Sequence, residues 1–281
     1  MSDEFVKTES RAGVLIITLH DPPTRNAINP EMAREFFEAL ERFEDDPELR
    51  VLLLTGMEPS FCSGANVRGF SRSIEAREER SDTGSGRPWG NMEARYAKKF
   101  APESSRAPEM VLRLQELQKP TVAAVNGHAI GAGMGLALAC DIRLAAEKAT
   151  FSEAFARMGL IPADGSCWNL PRLIGVSNTL LLQYTGDRVD AQEALRLGLV
   201  SKIVPDEQLM ETSLELSGRI AQGATRSQSL IKYLVRQGSD QSFREHLDLA
   251  HVAQDQARTT EDHREAVQAF LEKRPPVFKG R

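Results

Sequence analysis

Lys119 to Asp141 reads KPTVAAVNGHAIGAGMGLALACD, and the rest of the chain is organised around it. Thr121 to Val125 is an apolar, β-rich run that breaks at Asn126-Gly127, a strong turn pair. Gly131, Ala132 and Gly133 then lead into Met134 to Cys140, which is small, apolar and helix-compatible. A strand that turns through glycines into a helix leaves unpaired backbone N–H groups at the helix start. Such groups can hold a phosphate, or a negative charge developing on a carbonyl oxygen during reaction. The local pattern does not choose between the two.

A second junction of the same kind lies upstream at Ser60 to Val67, SFCSGANV, where Asn66 can cap a helix start. Before it, residues 4–9 and 13–19 read as a hairpin turning at Arg11-Ala12-Gly13, closed off by Pro22-Pro23. Asn29-Pro30-Glu31 starts a helix to about Glu44, with Met32, Phe36, Leu40 and Phe43 on its core face. Arg50 to Thr55 is too continuously apolar to be a half-exposed strand. Residues 71–110 are rich in charge, Ser and Gly, so a mobile insert is expected over about 71–108. A helix is expected from about Glu109 to Leu117.

Past the central stretch, Asp141 to Ala146 and Ala149 to Ser152 read as strands. The loop Gly159 to Ser166 can place Asp164 in a site. From Leu170 the pattern turns helical, with an Asp190/Glu193 capping box, a stop at Gly198, and amphipathic helices at about 206–222, 224–237, 241–256 and 261–272. Strands are expected only up to about residue 175. The chain thus divides into an α/β core over 1–200 and a helical subdomain over 201–281.

Composition narrows the function. The 281 residues carry 41 % apolar and 27 % charged side chains, as soluble globular proteins do. A net charge of −5 argues against a nucleic-acid partner. No apolar run approaches the ~18 residues of a membrane span, and the first ten residues lack a signal core, which points to the cytoplasm. The three cysteines, Cys62, Cys140 and Cys167, are too far apart for a metal knuckle or a disulfide framework. Gly131-x-Gly133-x-Gly135 departs from the dinucleotide fingerprint, whose third glycine falls on Leu136. Cys167 lacks the companions of a papain-type nucleophile and reads as a packed thiol. His128, beside the glycine turn, reads as structural or catalytic.

The two glycine junctions can each offer one N–H to the same oxygen. Together with Arg25-Asn26-Ala27-Ile28, Phe61 to Val67, Ile130 to Gly133, Cys140-Asp141-Ile142, Gly159 to Pro162, Leu170-Pro171-Arg172 and Gly198-Leu199-Val200, the chain resembles the crotonase, or enoyl-CoA hydratase/isomerase, superfamily. The resemblance runs in order over nearly the whole chain. It implies a ββα superhelical core, a homotrimer or dimer of trimers, and an acyl-CoA thioester as ligand. Coenzyme A would arrive as part of the substrate, with no tightly bound cofactor and no metal. The oxyanion-hole donors would be the N–H groups of Ala65 and Ala132. Arg25, Ala27 and Ile28 would line the coenzyme A path, with Ser63, Gly64, Asn66, Val67, Gly131, Gly133 and Phe155 around the ligand. Phe270, Lys273 and Lys279 would complete the pocket.

The departures bear on the reaction. The two glutamates of the family's hydratases fall here on Gly135 and Phe155, neither of which can exchange a proton. Phenylacetate-pathway isomerases of the superfamily carry an aspartate directly after the Ile-Pro pair. That position is Ala163, and the acid comes one residue later at Asp164. Asp164 is therefore the first candidate acid/base, against a helix-capping role, and Glu153 is the second. Three readings stay open: a single-acid isomerase, a hydratase or hydrolase using another carboxylate or a water, and a silent acyl-CoA binder.

Overall fold

The structure is a computed structural model that describes residues 4–66, 106–239 and 241–281. The first sheet has the order β1-β2-β3-β5-β7-β10 and the second β4-β6-β8-β9. β1 (Val6–Arg11) and β2 (Val14–Leu19) form the expected hairpin, turning through left-handed Ala12 and Gly13. β2, β3 (Val51–Gly56), β5 (Thr121–Val125), β7 (Ile142–Ala146) and β10 (Lys202–Val204) then run parallel. In the second sheet β4 (Ser60–Cys62), β6 (His128–Ile130) and β8 (Thr150–Ser152) are parallel, and β9 (Val189–Asp190) closes the edge antiparallel.

The chain alternates between the sheets: β3 to β4, β5 to β6, β7 to β8. Asn126-Gly127 is one of these crossings, and its tightness is visible in the packing. A Cβ on Gly127 would stand 2.3 Å from the Pro59 carbonyl oxygen, so only glycine fits. The inner strands β2, β3 and β5 are buried on both faces, which is why they read as nearly unbroken apolar runs, whereas the edge strand β1 is exposed beyond Val6. Leu15, Ile17, Leu52 and Leu54 face the larger core, with Phe36, Leu40 and Phe43 of α1 (Pro30–Asp45). Val14, Ile16, Val51 and Leu53 face the other way, onto Leu209 and Ala221 of a C-terminal helix. α1 starts as the sequence dictates, with the Asn29 side chain accepting from Met32 N–H and Pro30 in the first turn.

Downstream lie α2 (Ala107–Glu116), α3 (Ala132–Ala139), α4 (Ser166–Thr185, bent at non-helical Gly175), α5 (Ala191–Leu197), α6 (Leu209–Ala221), α7 (Thr225–Gln237), α8 (Phe243–Arg258) and α9 (Glu261–Glu272). One expectation is corrected. Strands do not stop near residue 175, since β9 and β10 close an edge of each sheet; both are so short that helix patterns on either side mask them. His128–Ile130, to which the sequence reading assigned no element, is a strand of the second sheet. The expected insert at 71–108 falls almost wholly outside the described residues, as does Val67. Among the described residues no helix is long and apolar enough to cross a membrane.

Candidate active site

The second sheet assembles the site. Its registers set Cys62 beside Ala129 and Ile130 beside Ser152, so the C-terminal ends of β4, β6 and β8 lie side by side. The residues just beyond each strand are therefore brought together: Ser63-Gly64-Ala65, Gly131-Ala132, and Glu153. Gly131 N–H donates to Ser152 O at 2.8 Å, locking two of these ends to each other. The helix start is pressed onto β4 so closely that a Cβ on Gly133 would meet Cys62 O at 2.2 Å. Gly64 has φ +92°, and its missing Cβ would lie 3.5 Å from the Ala132 nitrogen. The two junctions named from sequence are neighbours in space.

Their free donors follow from the bonding around them. Ile28 N–H donates to Gly64 O, and Asn66 N–H donates to Ile28 O, forming a parallel bridge between Ile28 and Ala65. In such a bridge the central residue's own N–H points to the opposite side, so the Ala65 donor faces away from Ile28. The Gly64 N–H is engaged by the Cys62 sulfur at 3.4 Å. Ala132 is the first residue of α3, where no preceding turn exists to accept its N–H. Burial pushes the Cys62 thiol up to about 12, so it stays neutral.

Asn26 holds the Arg25–Ile28 segment in place. It is fully buried at φ +58°, donates to Met57 O and Ser60 O at 2.7 Å each, and accepts from Asp21 N–H at 2.8 Å. Arg25, also left-handed at φ +59°, accepts from Ser63 N–H at 3.0 Å through its carbonyl, while its side chain is exposed. Ala27 and Ile28 are buried beside it. Sequence reading gave Asn26 no role, although asparagine is one of the few residues besides glycine that adopt this backbone. Asn26→Ala is expected to lower stability by roughly 2–4 kcal/mol, because two buried carbonyls lose their donor. A urea titration measures it, and acyl-CoA affinity should fall with it as Arg25 and Ser63 lose their anchor.

The acids meet behind the helix. Asp164 and Glu153 are both buried, at 2 % and 0 % exposure, and Ser166 Oγ lies between them, 2.6 Å from Asp164 Oδ1 and 2.8 Å from Glu153 Oε2. Asp164 Oδ1 also accepts Ser166 N–H at 3.2 Å. Asp164 Oδ2 has no hydrogen-bond partner among the described residues and stands where a side chain on Gly135 would begin, 2.6 Å from that Cβ position. The two oxygens of Asp164 thus differ, Oδ1 serving the helix start and Oδ2 left unbonded among the described residues. Burial, then the charge of Asp164, pushes Glu153 up to about 8, opposed by the Ser166 hydrogen bond. Burial raises Asp164 too, with the Ser166 hydrogen bonds opposing.

Phe155 has helical backbone, so it does not share a strand face with Glu153; its ring covers the Gly131 turn, 3.4 Å from the Cβ position there. His128 Nδ1 is hydrogen-bonded to Thr150 Oγ1 at 2.7 Å within the second sheet. Cys167 is exposed rather than packed, because it falls on the outer face of α4. Lys273 caps α9 at the surface, and the tail it leads into is held at Phe278 O by Arg50, at the opposite end of β3 from the site. Within one chain Phe270 and Lys273 therefore belong to that far end. Ser166, like Asn26, was missed from the sequence, since a serine opening a helix reads as a cap and nothing more. Among the described residues no group of three or more His, Cys, Asp or Glu is placed to hold a metal.

The family model for enoyl-CoA hydratase/isomerase matches residues 9–91 and 84–281. The chain belongs to the enoyl-CoA hydratase/isomerase family. It is an enzyme of that family, whose substrates are acyl-CoA thioesters. It is 35 % identical over 278 residues, covering 99 % of each chain, to a protein of Escherichia coli named 1,2-epoxyphenylacetyl-CoA isomerase. It is 34 % identical over 282 residues, covering 100 % of each chain, to a probable enoyl-CoA hydratase of Rhodobacter capsulatus. Among solved structures, an enoyl-CoA hydratase of Bacillus anthracis matches with a TM-score of 0.83 and 30 % identity, over 99 % of this chain and 100 % of that one.

Proposed function

We propose that this member of the enoyl-CoA hydratase/isomerase family shifts a double bond in an acyl-CoA thioester, with Asp164 as the only proton carrier. The thioester oxygen lies between the Ala65 and Ala132 N–H groups. Asp164 Oδ2 takes a proton from the carbon chain, the electron pair moves onto the thioester as an enolate, and the two donors stabilise its charge. The same oxygen returns the proton to another carbon, so nothing is added and nothing lost. No cofactor takes part, and coenzyme A enters with the substrate along Arg25, Ala27 and Ile28.

The observation that carries this reading is the position of Asp164 Oδ2. It fills the space over Gly135, on the helix whose first residue is Ala132. The family's hydratases would have a glutamate begin at that glycine. Here an aspartate from another loop takes its room, which leaves a base beside the hole without the usual pair. The likeness to a relative named as an isomerase agrees.

A second reading is hydration by Glu153 and Asp164 together, favoured by the meeting of two buried carboxyls at Ser166. Product analysis separates the two. With 3-enoyl- and 2-enoyl-CoA esters, the isomerase reading expects interconversion with no gain of water. Hydroxyacyl products without any double-bond shift would overturn it in favour of hydration. The assembly that fits is a trimer or a pair of trimers through the helices beyond residue 201, whose exposed Ile231, Val235, Val252 and Phe270 offer apolar surface. In it Phe270 and Lys273 would reach a neighbouring copy's pocket.

A further inference from the structure

Ser166 Oγ sits within hydrogen-bond distance of two carboxyl groups, and a hydroxyl has one proton to give. Two ionised carboxylates here would leave one of them facing an oxygen lone pair in a buried site, an arrangement that low dielectric makes costly. One carboxyl must therefore carry a proton of its own. Asp164 Oδ1 receives two donors, Ser166 Oγ–H and Ser166 N–H, whereas Glu153 has only the serine oxygen. The negative charge is better held on Asp164.

We propose that Glu153 and Ser166 are positioning residues for Asp164: Glu153 stays protonated and donates to Ser166 Oγ, which donates to Asp164 Oδ1. The inference rests on the reading of Asp164 as the acid/base. The chain of donors fixes Oδ1, aims the unpartnered Oδ2 over Gly135, and limits the site to one negative charge beside a forming enolate. No charged side chain from α3 faces the pair, because Ala132–Ala139 holds none. Cys167 of α4 feels both acids, and Glu109 of α2, paired with Arg106, lines the same cavity as Asp164.

The consequence is an alkaline limb. As pH rises through about 8, Glu153 loses its proton. Ser166 then has two anions competing for one hydrogen, and the rate falls. The folded chain holds that proton to a higher pH than the unfolded chain does. Wild-type stability therefore declines from the ordinary glutamate range up to that same pH, and Glu153→Gln removes the slope.

The experiment combines pH profiles of kcat/KM on enoyl-CoA esters with infrared difference spectra of the protonated carboxyl band. Glu153→Gln should abolish both the alkaline limb and the band, and should be less impaired than Glu153→Ala, since glutamine keeps a donor toward Ser166. Ser166→Ala should lower kcat on the order of 10²-fold with KM little changed, and move the acid limb to higher pH as Asp164 loses its donors. A band that survives Glu153→Gln but vanishes in Asp164→Asn would overturn the proton's placement, as would an alkaline limb retained in Glu153→Gln. Absence of turnover on every ester would sink the proposed reaction instead, while the infrared band would still decide where the proton sits.

Discussion

Asp164→Asn is expected to lower kcat/KM for double-bond isomerisation by roughly 10²–10⁴-fold, the range for removing a positioned acid/base. The substitution is close to isosteric. The amide oxygen can still accept from Ser166 N–H and Oγ–H as Oδ1 now does, so α4 keeps its start. What disappears is the basic oxygen over Gly135. Affinity for a saturated acyl-CoA should hardly change, because in the proposed pose the thioester is held by backbone donors that the change does not touch. Calorimetric binding beside steady-state rates checks both halves. A rate within about tenfold of wild type would move the base elsewhere.

Ala132→Pro is expected to lower kcat by roughly 10²–10³-fold, or about 3–4 kcal/mol in the transition state, because proline lacks the N–H that the enolate oxygen needs. The fold should tolerate it. Position 132 is the first residue of α3, where proline is favoured and no intrahelical bond is lost. The residue before it, Gly131, has φ 51° and ψ −124°, outside the α region that a following proline excludes. The ring carbon would occupy the place of the missing hydrogen, in the hole itself. Thermal melting should therefore stay near wild type while turnover collapses. Loss of both together would speak for a packing role instead.

Much of the fold was legible because each local rule agreed with the packing. Asn29-Pro30 caps α1, Asn126-Gly127 marks a crossing between sheets, and the unbroken apolar runs of β3 and β5 belong to a sheet covered on both faces. β6, β9 and β10 are two or three residues long and lie against stronger turn and helix signals, which hid them. At the site, Gly64 and Gly131 were visible because glycine at a strand-to-helix junction reports backbone that other residues avoid. The contact between Ser166 and two acids was not. It joins the end of β8 to the start of α4 across the fold, and no sequence spacing encodes such a meeting. The fitting of Asp164 against Gly135 was hidden for the same reason: the loss of one side chain and the arrival of another lie 29 positions apart in the numbering.

In the proposed reaction two backbone donors and Asp164 together make and reprotonate an enolate. Deuterium uptake at the α and γ carbons of acyl- and enoyl-CoA esters in heavy water, read by mass spectrometry, tests it most directly. Wild type should incorporate deuterium, and Asp164→Asn and Ala132→Pro should each suppress it while still binding the ester. Undiminished exchange in Asp164→Asn, or no exchange in a wild-type protein that binds these esters, would contradict it.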